Sequence, residues 1–215
     1  HKEDVSEALR YLLVRLEKSN VRVRLCAIAE PEQVLAFTPD VVILATGSRA
    51  GRLSIAGSDA PSVVDVRAVY EAKVSVGDKV VIIGGGETGC ETADWLAGTG
   101  KQVTVVEMLP DVLPKMKKIP KDRLLSRLAQ KHVQVLTLAK ATSIEADRVC
   151  VNLKSGEACM PPADTVIAAV QPEPQNELLP ALKGKIDQVI TVGDAACPGT
   201  IGSALRSATE AALKI

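Results

Sequence analysis

Residues Lys79–Met108 read KVVIIGGGETGCETADWLAGTGKQVTVVEM, and the hydrophobic period changes twice within this stretch. Val80–Ile83 is a continuous apolar run typical of a buried strand, Glu87–Ala97 has helical spacing, and Val103–Val106 is again a strand pattern. A run of glycines separates the first strand from the helix. The stretch therefore predicts a strand–helix–strand unit, the building block of a parallel sheet.

Three glycines of this stretch, Gly84, Gly86 and Gly89, have G-x-G-x-x-G spacing directly after a strand and at the start of a helix. The first permits the tight turn, the second lets the backbone approach a pyrophosphate, and the third lets helix and strand pack closely. The helix amino terminus then supplies N–H donors and a partial positive charge to the phosphates. The pattern predicts a dinucleotide-binding loop.

Glu107 ends the next strand, roughly 20 residues further on, where such folds place the acid that binds the ribose hydroxyls. A carboxylate at this position pairs with two ribose hydroxyls and repels a 2′-phosphate. The residues that follow, Met108–Asp111, include no arginine that could receive such a phosphate. We therefore expect NAD(H) rather than NADP(H). The alternative interpretation is a glycine-rich turn followed by a surface glutamate.

The composition is that of an ordinary packed α/β protein, with 47% apolar and 24% charged residues among 215. Lys plus Arg equals Asp plus Glu at 26 each, so no basic field attracts nucleic acid or anionic lipid, and we expect a small-molecule partner. No apolar stretch approaches the roughly 20 residues of a membrane span, and the first residues lack a signal-peptide pattern. These features predict a cytoplasmic protein.

The five cysteines are Cys26, Cys90, Cys150, Cys159 and Cys197. They are scattered, odd in number and never in a C-x-x-C pair, which argues against a disulfide framework, a zinc site and a dithiol redox centre. We therefore expect all five to be small core or loop residues.

The rest of the chain alternates between helix and strand patterns, which indicates an α/β fold. An antiparallel meander is expected between Ser143 and Met160, where short apolar runs are separated by polar turns. The tail from Gln188 is typical of a strand, a loop and a closing helix. The other expected elements are a helix at Val5–Leu16, a short strand at Val21–Cys26, a turn or short helix at Pro31–Ala36, buried strands at Asp40–Ser48 and Asp164–Val170, and a helix at Lys121–Gln130.

Three segments occur in an order that resembles a known family: VVILATGS from Val41, the stretch from Val80 to Met108, and ITVGDA from Ile190. In these segments the chain resembles the pyridine-nucleotide-dependent flavoprotein reductases. The resemblance is strongest to the carboxy-terminal reductase region of the NADH:flavin oxidoreductases related to 2-enoate reductase, dienoyl-CoA reductase and trimethylamine dehydrogenase. It covers essentially the whole chain.

The resemblance implies a Rossmann-like FAD/NAD(P)-binding fold, with a parallel sheet, helices and an antiparallel meander. In that family an NAD domain is inserted in an FAD domain. Carried over to this chain, the NAD domain is residues 73–184, and residues 1–72 and 185–215 form part of an FAD domain.

The resemblance also implies further site residues. It places Ala45, Thr46 and Gly47 at the crossing between the two domains, and Gly193 and Asp194 beside the ribityl and pyrophosphate groups of FAD. The alternative is that both segments are turns that end strands.

Two residues inside the glycine loop, Glu87 and Thr88, occupy positions that in relatives lie near the nicotinamide ribose and phosphates. The sequence departs from the family at two other places. It has no earlier G-x-G-x-x-G upstream of Val5–Leu16, so we expect the FAD domain to lack its first strand and glycine loop and to bind FAD poorly. Gln171–Pro174 replaces the Gly-x-x-Pro of many relatives, and the loss of the glycine works against a close approach of that loop to the nicotinamide.

The chemistry implied by the resemblance is hydride transfer from NADH to FAD, followed by electron transfer to an iron–sulfur cluster and FMN in an upstream barrel. No residue offers an independent catalytic acid or nucleophile, so we name no catalytic residue. We expect this chain to be inactive without the barrel and the missing FAD segment. The alternative is a module that binds or senses NAD(H) without turnover.

Overall fold

A computed structural model describes residues 3–215 of the chain. The helices are α1 (Glu3–Glu17), α2 (Pro31–Ala36), α3 (Val66–Tyr70), α4 (Glu87–Gly98), α5 (Lys118–Gln130), α6 (Leu178–Leu182) and α7 (Ile201–Ala212). The strands are β1 (Val41–Leu44), β2 (Ser48–Arg49), β3 (Val63–Asp65), β4 (Lys79–Ile83), β5 (Gln102–Val106), β6 (Gln134–Leu136), β7 (Lys140–Glu145), β8 (Arg148–Leu153), β9 (Gly156–Cys159), β10 (Thr165–Ala168), β11 (Glu173–Pro174) and β12 (Gln188–Thr191).

The central feature is a five-stranded parallel sheet in the order β3-β10-β4-β5-β6. Alternate residues of β4 enter two different cores, because successive side chains of a strand point to opposite faces. Val80 and Ile82 pack with α4 and α5, whereas Val81 and Ile83 pack with the antiparallel meander β7-β8-β9. A sheet covered on both faces explains the unbroken apolar run of β4. The predicted α/β fold is confirmed.

Two smaller sheets carry the segments on either side of this core. Strands β1 and β12 form a parallel pair, and β2 and β11 form an antiparallel pair. Strand β12 has β1 as its partner on one edge, and no strand of residues 3–215 pairs with its other edge. Strand β3 lies in the five-stranded sheet although its residues precede 73. The division of the chain at 72 and 185 stays a prediction.

The expected strand at Val21–Cys26 is wrong. Residues 21–25 have no regular structure, and every residue from 21 to 30 is exposed. The alternating Val, Arg and Leu pattern favours a strand, but a strand is stable only when a neighbour satisfies its backbone groups. No strand within residues 3–215 supplies that neighbour.

The expectation that all five cysteines are unpaired is also wrong, because Cys150 and Cys159 form a disulfide. The two residues lie directly opposite each other in the register of β8 and β9. A search for closely spaced cysteines misses such a pair, since the hairpin rather than the sequence spacing brings the thiols together. Cys26, Cys90 and Cys197 are free.

Helices α4 and α5 are joined by an ion pair cluster around Asp94, which is 7% exposed. Arg127 donates from Nε to one carboxylate oxygen at 2.9 Å, and Lys131 donates from Nζ to the other at 2.7 Å. Burial works to raise the pKa of Asp94, but the hydrogen bonds and charges of Lys131 and Arg127 outweigh it and lower the pKa below its usual value.

No helix in the described part of the chain combines the length and the apolar character needed to span a bilayer.

We expect Asp94→Asn to lower the free energy of unfolding by about 1–3 kcal/mol at pH 7, because it leaves two partly buried cations without their anion. A carboxyl whose pKa is lower in the folded state contributes stability above its unfolded pKa, and this contribution is lost as the pH falls through the folded pKa. The difference in the free energy of unfolding between Asp94→Asn and the unmodified chain should therefore become smaller at acidic pH. Urea unfolding of both proteins across a pH series measures this difference.

Asp122→Asn is the matched control, since Asp122 is an exposed aspartate of α5. Its stability difference should be small at every pH. Identical pH profiles for the two variants would contradict the role assigned to Asp94.

Candidate functional site

The glycine loop between β4 and α4 is held by two contacts that leave no room for a side chain. Gly84 has a φ of +117°, and a Cβ on it would lie 2.4 Å from the carbonyl oxygen of Ala169 on the neighbouring strand segment. A Cβ on Gly89 would lie 1.9 Å from the carbonyl oxygen of Gly84. The first turn of α4 therefore sits directly against the loop, as the sequence predicts for the first and third glycines.

Gly86 differs from these two glycines because it faces open space. It is the N-cap of α4, has an ordinary φ of −70° and makes no side-chain cap. A Cβ on Gly86 would meet no atom within 4 Å. Glu87 and Thr88 follow it as exposed residues of the first helical turn. The amino end of α4 is therefore open to an anionic group.

Glu107 follows β5 and is bound to the same loop. One carboxylate oxygen accepts the N–H of Gly85 at 2.7 Å, and the other accepts the N–H of Leu109 at 2.8 Å. The residue is only 9% exposed. Each carboxylate oxygen has a second lone pair that these bonds do not use. The structure thus brings Glu107 to the glycine loop, where the sequence places it.

Gly85 is a site residue that the sequence analysis missed. A Cβ on it would lie 2.5 Å from Cγ1 of Val112 and 2.9 Å from Cβ of Glu107. Its N–H donates to Glu107, and its carbonyl accepts the N–H of Leu113 at 2.8 Å. The signal was available, because Gly85 stands at the variable position of the motif and yet is a glycine.

The thiol of Cys90 lies beneath this loop. Its Sγ is directed at the carbonyl oxygen of Gly85 at 3.4 Å. Burial, with a smaller effect of the nearby Glu107 charge, raises the pKa of Cys90 to about 12. The thiol is therefore protonated at neutral pH, and its role is to fill space under the loop.

A second group of predicted residues lies at the carboxyl ends of β1 and β12. Ala45, Thr46 and Gly47 follow β1, and Gly193 and Asp194 begin a 3₁₀ turn after β12. Because parallel strands end at the same edge, the pairing of β1 with β12 brings the two segments together.

Asp194 is held in place by donors that the sequence analysis did not name. Its Oδ2 accepts the hydroxyl of Ser48 at 3.1 Å, and its Oδ1 accepts the N–H of Gly199 at 3.0 Å. Thr46 donates from Oγ1 to the carbonyl oxygen of Gln175. These bonds connect the carboxyl ends of β1 and β12 to the chain crossing at β2 and β11.

Arg49 secures that crossing on the exposed side. It forms ion pairs with Glu173 and Glu177, each at 3.0 Å. Arg67 donates to the carbonyl oxygen of Ser48 at 2.7 Å. Exposed ion pairs contribute little each, so the backbone pairing of β2 with β11 is the main link at the crossing.

Comparison with known proteins gives consistent matches over nearly the whole chain. The family model described as pyridine nucleotide-disulphide oxidoreductase matches residues 12–197. A bilirubin reductase of Mediterraneibacter gnavus is 37% identical over 90% of this chain, and an NADH oxidase of Thermoanaerobacter brockii is 34% identical over 95% of it. The chain covers 30% and 32% of these two relatives, so it spans about a third of their length.

Solved structures agree with this result. The structure of a 2-naphthoyl-CoA reductase in complex with 2-naphthoyl-CoA superimposes with a TM-score of 0.91 at 28% identity. The match covers 99% of this chain and 32% of that reductase. A histamine dehydrogenase from Rhizobium shares the fold with a TM-score of 0.79 at 22% identity.

We expect Gly89→Ala to lower the free energy of unfolding by about 1–3 kcal/mol, because its Cβ must displace the backbone of the glycine loop. Gly202→Ala is the matched control in another helix, where the added Cβ meets only Thr200 Oγ1 at 3.8 Å. That control should be neutral or slightly stabilising. The measurement is the urea unfolding midpoint of each variant. Equal midpoints for Gly89→Ala and Gly202→Ala would contradict the close packing at Gly89.

Proposed function

The chain belongs to the pyridine nucleotide-disulphide oxidoreductase family, and from that premise we propose that it is the nucleotide-binding portion of a flavin-dependent oxidoreductase that uses NADH. Family membership confirms the resemblance to flavoprotein reductases that the sequence indicates. An NADH oxidase and several reductases are among the relatives.

The observation that carries the proposal is the joint position of Gly86 and Glu107 on one loop. The space beside Gly86 and the uncapped first turn of α4 fit a pyrophosphate, which needs close approach and N–H donors. Glu107, anchored through Gly85 on the same loop, fits the adenosine ribose. Glu87 and Thr88 would line the path toward the nicotinamide half.

The hydride chemistry is a property of NADH and the flavin when both are bound. The residues of this chain hold and orient the donor. The N–H groups at the start of α4 bind the phosphates, and Glu107 accepts hydrogen bonds from the ribose hydroxyls. The same carboxylate repels a 2′-phosphate, because two anions would meet at a buried site, and this favours NADH over NADPH.

The proposal assigns FAD binding to the longer protein. Ala45, Thr46, Gly47, Gly193 and Asp194 would contribute one side of the FAD site. Asp194 is oriented for this by Ser48 and Gly199, but no third strand of the described residues extends the β1–β12 pair on either edge, which leaves this sheet incomplete. We therefore propose that the chain alone holds NAD(H) and little or no FAD.

The exposed apolar face of α1 suits the packing of another protein segment against this helix. Val5, Leu9, Leu12 and Leu13 are 42–57% exposed along this helix, which is a larger apolar surface than a solvent-facing helix needs. We propose that the remaining part of the parent protein, including its barrel, covers this face and the free edge of β12. The cytoplasmic location stays a prediction from the sequence.

A module that binds NAD(H) without turnover is the second candidate. It is favoured by the glycine loop and Glu107, which can hold the nucleotide without a further group of the chain. An absorbance scan of the purified chain separates the two candidates. A bound flavin with NADH-dependent bleaching supports the reductase, whereas NADH binding by a colourless protein supports the module for this length of chain.

We expect calorimetric titration to show tighter binding of NADH than of NADPH. Gly86→Ala should weaken NADH binding at least tenfold, about 1.4 kcal/mol, because a methyl group enters the space proposed for the pyrophosphate. Its unfolding midpoint should fall only slightly, since a Cβ there meets no atom within 4 Å and the remaining cost is that alanine is a poorer N-cap than glycine. Gly202→Ala serves as the control; it should leave NADH affinity unchanged and leave the unfolding midpoint unchanged or slightly raised.

Glu107→Gln tests the choice of cofactor, and its unfolding midpoint is measured as well, because an amide can accept only one of the two backbone N–H bonds that the carboxylate accepts. Removing the charge should reduce the preference for NADH over NADPH roughly tenfold, about 1.4 kcal/mol.

Unaltered NADH affinity in Gly86→Ala, in a protein with normal stability, would refute the proposed phosphate site. An unaltered NADH/NADPH ratio in Glu107→Gln would refute the role of the carboxylate.

A further inference from the structure

The outer face of the meander places three metal-binding side chains beside one another. Val149 and Val151 of β8 point into the core, so Cys150 between them belongs to the opposite face. Cys159 of β9 lies directly across from Cys150. On the neighbouring strand β7, Ser143 is paired with Cys150. Glu145 is two residues beyond Ser143, so it lies on the same face and is a diagonal neighbour of Cys150.

The register brings the two cysteines as close as a sheet allows. The N–H of Met160 donates to the carbonyl oxygen of Val149 at 2.9 Å, which makes these two residues a hydrogen-bonded pair. The next pair, Cys150 with Cys159, is therefore of the non-hydrogen-bonded kind, in which opposite side chains approach most closely. A carboxylate oxygen of Glu145 and the two sulfurs all lie within 4.8 Å of one another.

Once the disulfide between the two sulfurs is reduced, these three ligand atoms are close enough to bind a single thiophilic cation. Zinc binds thiolate sulfur at about 2.3 Å and carboxylate oxygen at about 2.0–2.2 Å, so ligand atoms around one ion are roughly 3.5–4 Å apart. Cys150 is buried, whereas Glu145 and Cys159 are exposed. Packing around Cys150 fixes the position of that ligand. Solvent can reach Glu145 and Cys159, so the ion can enter from their side together with a water molecule as the fourth ligand.

We propose that Glu145, Cys150 and Cys159 form a binding site for a thiophilic divalent cation such as Zn²⁺, which is open when the Cys150–Cys159 bond is reduced and closed when it is formed. The site lies on the meander and is separate from the nucleotide loop. It requires no part of the chain beyond the three strands that carry its ligands.

The exchange between the two states balances with a dithiol as reductant. The disulfide accepts two electrons and two protons, and the dithiol becomes a cyclic disulfide. Zn²⁺ then displaces one proton from each thiol, and the carboxylate of Glu145 completes the protein ligands. Strands β8 and β9 are joined in both states, by a covalent bond in one and by the ion in the other.

The other cysteines offer no comparable arrangement within the described residues. Cys26 and Cys197 are exposed and free, and Cys90 is buried beneath the glycine loop. The group of Glu145, Cys150 and Cys159 is the one cluster of three metal-ligating side chains found in the part of the chain that the structure covers. Cys197→Ser is therefore a control that removes a thiol without touching the site.

The test is zinc titration of the folded chain, reduced with dithiothreitol and freed of it, against a chromophoric chelator. We expect one Zn²⁺ per chain, with release of about two protons at pH 7. Cys159→Ser and Glu145→Gln should each weaken zinc binding at least tenfold, and both change exposed side chains. Cys197→Ser should bind as the unmodified chain does, and the oxidised chain should not bind at this site.

A thermal unfolding scan gives a second readout, because an ion that binds only the folded state raises the unfolding midpoint. Zinc should raise the midpoint of the reduced chain and leave that of the oxidised chain unchanged. The proposal would be overturned if the disulfide could not be reduced in the folded chain. It would also be overturned if Cys159→Ser bound zinc as tightly as the unmodified chain, or if zinc binding depended on Cys197.

Discussion

The close approach of α4 to the loop before it is the constraint on which the rest of the structure depends. No side chain fits between Gly89 and the carbonyl of Gly84, or between Gly84 and the carbonyl of Ala169. These contacts fix the helix axis relative to β4 and β10 and aim its amino end past the edge of the sheet. The same geometry turns the N–H of Gly85 toward Glu107. Packing and binding are therefore consequences of the same few backbone contacts.

A second organising feature is the place where the chain crosses between its two parallel sheets. Strands β2 and β11 pair there, and the side chains around them are bonded to the ends of β1 and β12. Asp194 is the clearest case, because Ser48 from one crossing strand and Gly199 from beyond β12 both bond it. The crossing thus positions polar groups at the sheet edge as well as connecting the sheets.

The parts of this structure that the sequence predicts well are those specified locally. The strand, glycine loop and helix from Lys79 to Gly98 follow from neighbouring residues, since the hydrophobic period and the glycine spacing each depend on a few adjacent positions. The strand expected at Val21–Cys26 failed because pairing depends on a distant partner that no local pattern reports. The sequence does not predict the proximity of Cys150, Cys159 and Glu145, because this proximity also depends on non-local pairing, namely the register of three strands. Ser48 was missed as well, because its bond to Asp194 joins residues that are 146 positions apart.

The pairing of β1 with β12 has a consequence for the order of folding. Between these strands the chain contains the whole five-stranded sheet and the meander. Joining them closes a very long loop, and the entropy cost of that closure is reduced once the intervening segment is already compact. The intervening segment, whose contacts are mostly among its own elements, should therefore collapse first and bring the ends of β1 and β12 together. The same topology makes the outer pair the first part of the molecule to open, because two strands with no third strand on either side have few contacts to lose.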